Sequence, residues 1–137
     1  MNRFKWFALF VIFLIPYSLS GCVSAKISPN AVDLIVKFTW KNTAKCSRIS
    51  PKINVSNIPK GTKTLKVILK DFQAPDWNHG GGTVPYTGSG IIKPGALKAG
   101  YNGPCPPSGS HNYEFTVHAI DKDGVIIGVG KAVKKFP

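Results

Sequence analysis

Apolar residues in this chain recur at every second position, and no stripe of useful length shows the helical spacing. Leu65, Val67 and Leu69 alternate with Lys66 and Lys70 between Thr64 and Asp71. Tyr113, Phe115, Val117 and Ala119 alternate with Glu114, Thr116 and His118 between Tyr113 and Ile120. Leu34, Val36, Phe38 and Trp40 share one parity from Asp33 to Trp40, opposite Lys37 and Thr39. Successive side chains of a strand point to opposite faces, so each segment has one apolar and one solvated face. One-sided alternation suits antiparallel strands. The pattern predicts an all-β fold with little helix, a two-sheet antiparallel sandwich whose apolar faces oppose one another.

Glycine and proline set the boundaries. Pro51 and Pro59 confine the stretch from Ser47 to Pro59 to a loop with one short strand at Ile53-Asn54-Val55. Pro59-Lys60-Gly61-Thr62 reads as a turn. Residues 72–110 are rich in Gly and Pro, with a short strand expected at Thr83 to Tyr86. Asp121-Lys122-Asp123-Gly124 reads as a hairpin turn, after which Val125 to about Val133 pairs back.

The first residues bear on compartment. Arg3 and Lys5 precede an apolar run from Trp6 to Ile15, broken by Pro16. The run is short of the roughly 20 residues that span a bilayer and fits the core of a secretory signal. It ends at Leu19-Ser20-Gly21-Cys22, which resembles a bacterial lipobox. The expected organisation is a lipoprotein signal peptide over 1–21, a lipidated tether over 22–31 and a β domain over 32–137. Acyl chains on Cys22 would then hold the protein on a membrane of the bacterial cell envelope, facing the periplasm from the outer membrane in a Gram-negative cell. An ordinary signal peptide and an uncleaved anchor are the alternatives.

Export constrains the remaining chemistry. The formal net charge of +12 falls to +10 when Arg3 and Lys5 leave with the signal (12 − 2 = 10). Such a charge invites nucleic acid, but an exported protein rarely meets it. A solvated cationic surface, or adhesion to anionic lipid, is the expectation. Cys46 and Cys105 remain as a pair in an oxidising compartment. Bridged, they would contribute about 4 kcal/mol by loop closure; free buried thiols are the alternative. No Cys-x-x-Cys spacing suggests zinc.

Parity also locates polar groups. The inward parity of the strand ending at Asp71 reaches Asp71 itself, and that of the strand starting at Tyr113 reaches back to His111. In antiparallel strands both side chains emerge at the same end of the sheet. His118 has the opposite parity and belongs on the surface. The loop before His111 is stiffened by Pro104, Pro106 and Pro107, with Gly103 and Gly109 at its turns. Such a loop either preorganises a site or connects strands.

The segment Gly103 to Asp121, GPCPPSGSHNYEFTVHAID, resembles the signature of the phosphatidylethanolamine-binding protein family in its bacterial branch, whose members are also called Raf-kinase-inhibitor-like proteins. Asp71-Phe72-Gln73-Ala74-Pro75 is similar to the family's Asp-Pro-Asp-Ala-Pro element, with Phe72 in place of the first proline and Gln73 in place of the second acid. Ser50-Pro51 and Ile58 to Lys63 resemble two further elements, so the ordered match runs from about residue 46 to 137. The resemblance implies a fold of two antiparallel sheets with a small surface pocket for anions such as phosphate or a phospholipid head group. Carried over by position, that pocket would use Asp71, Pro106, Pro107, His111 and Tyr113, with His79 standing for the family's second histidine. No cofactor and no metal are expected; a metal held by two histidines and one carboxylate is the alternative. The expected function is therefore an exported lipoprotein that binds a small anionic ligand. A non-enzymatic protein-interaction or inhibitor module using the pocket rim is the alternative. A hydrolase is disfavoured, because no Gly-x-Ser-x-Gly elbow accompanies Ser108 or Ser110.

Overall fold

The computed structural model describes residues 25–98 and 100–137. The expected signal peptide and the expected lipidation site at Cys22 lie outside the described residues. Eight strands follow in chain order: β1 (Ile27–Asp33), β2 (Ile35–Phe38), β3 (Ile53–Ser56), β4 (Thr64–Asp71), β5 (Gly81–Pro85), β6 (Ile91–Ile92), β7 (His111–Ile120) and β8 (Ile126–Phe136). They form a five-stranded sheet of order β1-β8-β7-β4-β5 and a three-stranded sheet of order β2-β3-β6. Among the described residues there is no helix, so the two-sheet all-β expectation holds.

The alternating segments fold as their parity requires. In β4 the inward residues Leu65, Val67 and Leu69 are buried, and so are Tyr113, Phe115, Val117 and Ala119 in β7. The two strands pair antiparallel, from Thr64 opposite Ile120 to Asp71 opposite Tyr113. Leu34, Val36, Phe38 and Trp40 pack onto them from the second sheet, with Ile53 and Val55. Phe38 meets Phe115 edge-on at 4.8 Å, and Trp40 meets Phe136 edge-on at 5.6 Å. Full burial of such side chains contributes about 2–3 kcal/mol each.

Three features depart from expectation. The strand expected from Asp33 to Trp40 is split. Leu34 N–H still donates to the Val129 carbonyl at 2.9 Å, and the chain then crosses to the other sheet as β2. Residues 27–31, expected as tether, form most of β1. This strand has no alternation to betray it, because it lies at the sheet edge with most of its side chains exposed. Its register slips between Ile27 and Val32, where Pro29 lacks an N–H to give. Finally, β1 runs parallel to β8, against the antiparallel expectation. The two-residue strand β6 is too short for any period to show.

The sheets approach closely where β8 carries Gly128 and Gly130. A Cβ at Gly130 would stand 2.5 Å from the Leu34 carbonyl oxygen and 2.7 Å from Leu34 Cβ. Backbone lies in the way, so a rotamer change does not relieve the clash. Gly130→Ala is expected to lower stability by about 1–3 kcal/mol, read as a lower midpoint in urea denaturation. An unchanged midpoint would show that the sheets can part there without cost.

Candidate functional site

The end of β4 and the start of β7 meet at a buried carboxylate. Asp71 is 2% exposed. Its Oδ1 accepts from the backbone N–H of Gln73 at 2.8 Å and of Ala74 at 3.2 Å. Its Oδ2 accepts from His111 Nδ1 at 2.7 Å. Burial is the largest single influence on this carboxyl and pushes its pKa up. The hydrogen bonds from His111 and the Gln73 backbone, the nearby Tyr113 hydroxyl and the Ala74 backbone together outweigh it, and the carboxyl sits below its ordinary value of 3.8. The convergence expected from strand parity is therefore present in the geometry.

A second imidazole arrives from a different segment. His79 Nδ1 donates to the Asn102 carbonyl at 2.7 Å, while Asn102 N–H donates to the His79 carbonyl at 2.9 Å. Gly80 permits this approach: its φ is +63°, and a side chain there would run into the Gly100 carbonyl. The His79 Nε2 stands 3.8 Å from Asp71 Oδ2, beyond hydrogen-bonding reach. A carbonyl and a carboxylate only accept, so both Nδ1 atoms carry the proton. Each neutral ring then keeps Nε2 as a free acceptor, which becomes a donor on protonation.

A cavity of about 350 Å³ opens at this point. Four of the residues expected there line it: Asp71, His79, Pro107 and His111. Two do not. Pro106 is fully buried behind the wall, and Tyr113 lies beneath the floor with no exposed surface. Tyr113 supports both imidazoles, edge-on to His79 at 5.3 Å and stacked on His111 at 6.2 Å. Its hydroxyl is buried near the Asp71 carboxylate, out of hydrogen-bonding geometry with any protein atom. Burial first, and then the adjacent carboxylate, push its pKa up. Ala74, Trp77 and Cys105 complete the lining. Trp77, 65% exposed, was not an expected site residue; its only sequence signal is a large aromatic two positions before a histidine in a Gly-rich loop.

Cys46 and Cys105 are bridged, with Cα atoms 4.5 Å apart. The bridge ties the cavity wall to the segment before β3. Two backbone hydrogen bonds flank it, Cys46 N–H to Pro104 O at 2.7 Å and Gly103 N–H to Ser47 O at 2.9 Å. Gln73, in place of the family pattern's second acid, accepts from Asn112 N–H through Oε1 at 2.6 Å and caps the start of β7. His118 stands on the outer face of the large sheet, half-buried and remote from the cavity. Burial, then Lys66 and Lys131, lower its pKa below 6.5. Among the described residues no three His, Cys, Asp or Glu side chains are disposed to share a metal ion.

Residues 28–136 match the family model described as phosphatidylethanolamine-binding protein. The UPF0098 protein of Archaeoglobus fulgidus is 30% identical over 80% of this chain and 48% of its own length. The UPF0098 protein YbhB of Escherichia coli is 33% identical over 60% of this chain and 66% of its own length. The chain thus spans between about half and two thirds of these relatives. Among solved structures, a phosphatidylethanolamine-binding protein homologue from Chlamydia trachomatis superposes with a TM-score of 0.52 at 22% identity, covering 79% of this chain and 98% of that one. Escherichia coli YbcL superposes with a TM-score of 0.50 at 20% identity, covering 65% and 80%. At these identities the superpositions speak to fold alone.

The depressed Asp71 carboxyl ties stability to pH. It contributes stability that is fully present above its ordinary value of 3.8 and is lost as pH falls through the lower folded value. Asp71→Asn is expected to be less stable than the native protein at neutral pH by about 2–3 kcal/mol. The gap should close in acid as the native carboxyl takes its proton. Urea midpoints measured across an acid-to-neutral pH series check this, and a gap independent of pH would contradict the assignment.

Proposed function

The chain belongs to the phosphatidylethanolamine-binding protein family, and from that premise we propose that it binds a small anion, a phosphate or a phosphorylated head group, between His79 and His111. One observation carries the proposal: two imidazoles fixed at Nδ1, with neither Nε2 hydrogen-bonded to the protein, share one cavity over one buried carboxylate. Protonated, each ring becomes a charge-assisted donor to an anionic oxygen.

Asp71 opposes such an anion, so magnitudes decide the sign. At an effective dielectric of about 20, an anion roughly 4 Å from an imidazolium gains about 4 kcal/mol, and a carboxylate roughly 7 Å away costs about 2.4 kcal/mol. One protonated ring thus suffices for net attraction, and with none the cavity repels anions.

The proposal extends to export and to a lipid anchor at Cys22, supported by the basic, apolar and Leu-Ser-Gly-Cys succession at the N-terminus. The mass of the mature N-terminal peptide from native membranes tests that part. Loss of residues 1–21 with acyl mass on Cys22 is expected; an unmodified Cys22 would refute it. The exposed Trp77 at the cavity mouth favours a second reading, a protein partner held by the rim.

The ligand reading is tested by calorimetry of the full chain with inorganic phosphate and with phosphoethanolamine. Binding of at least one probe is expected in titrations run near about pH 6 and near about pH 8. His111→Gln is expected to weaken it by about tenfold or more. Absence of binding to either probe at both pH values, or binding unaffected by His111→Gln and His79→Gln, would remove the ligand reading. Capture of a partner protein that survives His111→Gln would favour the rim.

A further inference from the structure

We propose that the outer face of the three-stranded sheet docks on an anionic lipid bilayer. Alternation in β2 buries Val36 and Phe38 and turns Ile35 and Lys37 outward. Lys37 lies opposite Asn54 in β3, and Asn54 lies opposite Ile91 in β6, so one row crosses the whole sheet. Lys52, just before β3, and Lys93, just after β6, are exposed at its end. Three isoleucines stand among these cations in solvent: Ile35 is 52% exposed, Ile49 65% and Ile91 53%.

Charge is segregated around this face. The chain has six acidic residues, and none falls between Ile35 and Ser56 or between Tyr86 and Lys98, the segments that build the small sheet. The outer face of the large sheet differs. There Glu114 accepts from Lys131 Nζ at 3.1 Å and offsets part of the positive charge. The small sheet therefore presents cations and exposed aliphatic side chains with no acid in its own segments, and the exposed Asp33 lies at its far end, where its carbonyl accepts from Asn57.

That chemistry fits a bilayer better than a protein. Protein interfaces are depleted in lysine and enriched in arginine and aromatic residues, whereas this face carries Lys37, Lys52 and Lys93, and Arg48, beside Ile49, is its one arginine neighbour. A leaflet of anionic head groups offers diffuse charge that flexible ammonium groups match, and aliphatic side chains can enter the boundary between head groups and acyl chains. The cavity at the Asp71 end of the large sheet takes no part, so this inference stands or falls separately from anion binding.

The full chain, held on vesicles of phosphatidylcholine with or without about 30% phosphatidylglycerol, is treated with an amine-acetylating reagent and its lysines are read by mass spectrometry. Anionic lipid is expected to slow labelling of Lys37, Lys52 and Lys93 by about threefold or more relative to Lys66, Lys70 and Lys135. The protection should fade at about 0.5 M salt. Lys37→Gln combined with Lys52→Gln should abolish protection at Lys93, while Lys66→Gln combined with Lys70→Gln should leave it. Uniform change across all lysines, stronger protection at Lys66, Lys70 and Lys135, or equal protection by soluble polyglutamate would overturn the proposal.

Discussion

A single buried carboxylate organises the end of the molecule where the cavity lies. Burying a charge costs several kcal/mol unless partners replace the lost water. Asp71 meets that demand with three donors from two segments: the Gln73 and Ala74 backbone of the chain leaving β4, and the His111 ring at the start of β7. Satisfying one group therefore fixes the direction of the loop after β4 and the rotamer of His111 together. The strand ladder has already put Asp71 opposite Tyr113, so the carboxylate and the ladder agree. Local chemistry and sheet register reinforce each other here, which is the consistency expected of a well-specified site.

His79 is placed by independent means. The Asn102 main chain holds it on both sides, and Gly80 lets that strap come close. The strap belongs to the segment leading to Cys105, which is bridged to Cys46. The cavity is thus walled by pieces whose positions derive from different constraints: a sheet ladder, a backbone clamp and a covalent bridge. None of these needs a ligand. A site of this kind is preorganised, and binding does not have to supply the ordering entropy of its walls.

Strand parity makes a large part of this structure legible in the sequence. It gave β4 and β7 their faces, brought Asp71 and His111 to one end, and set His118 apart on the outer face. It failed where no parity exists to be read. The edge strand β1 lies mostly exposed, and β6 is too short to show a period. Local pattern was equally silent on the parallel pairing of β1 with β8, which depends on where a distant strand lies. The family resemblance supplied His79, which alternation does not reach, but it also placed Pro106 and Tyr113 at the cavity surface. Both are buried supports: Pro106 packs behind the wall, and Tyr113 carries the two rings from below. Motif membership marks residues a site depends on without separating those that touch its contents from those that hold it up.

Gln73 shows how this chain departs from the family pattern without breaking the site. An acid at that position accepts hydrogen bonds and adds a negative charge. Gln73 keeps the first role, taking the Asn112 N–H through Oε1, and so still joins the loop after β4 to the start of β7. The second role is gone. At an effective dielectric of about 20, one charge removed from roughly 8 Å away changes the energy of an anion by about 2 kcal/mol. That is comparable to the opposition exerted by Asp71 itself. Added to Asp71, a second carboxylate would therefore offset the whole attraction of one protonated imidazole for an anion. With a neutral amide in its place, the structural bond remains and the second negative charge is absent.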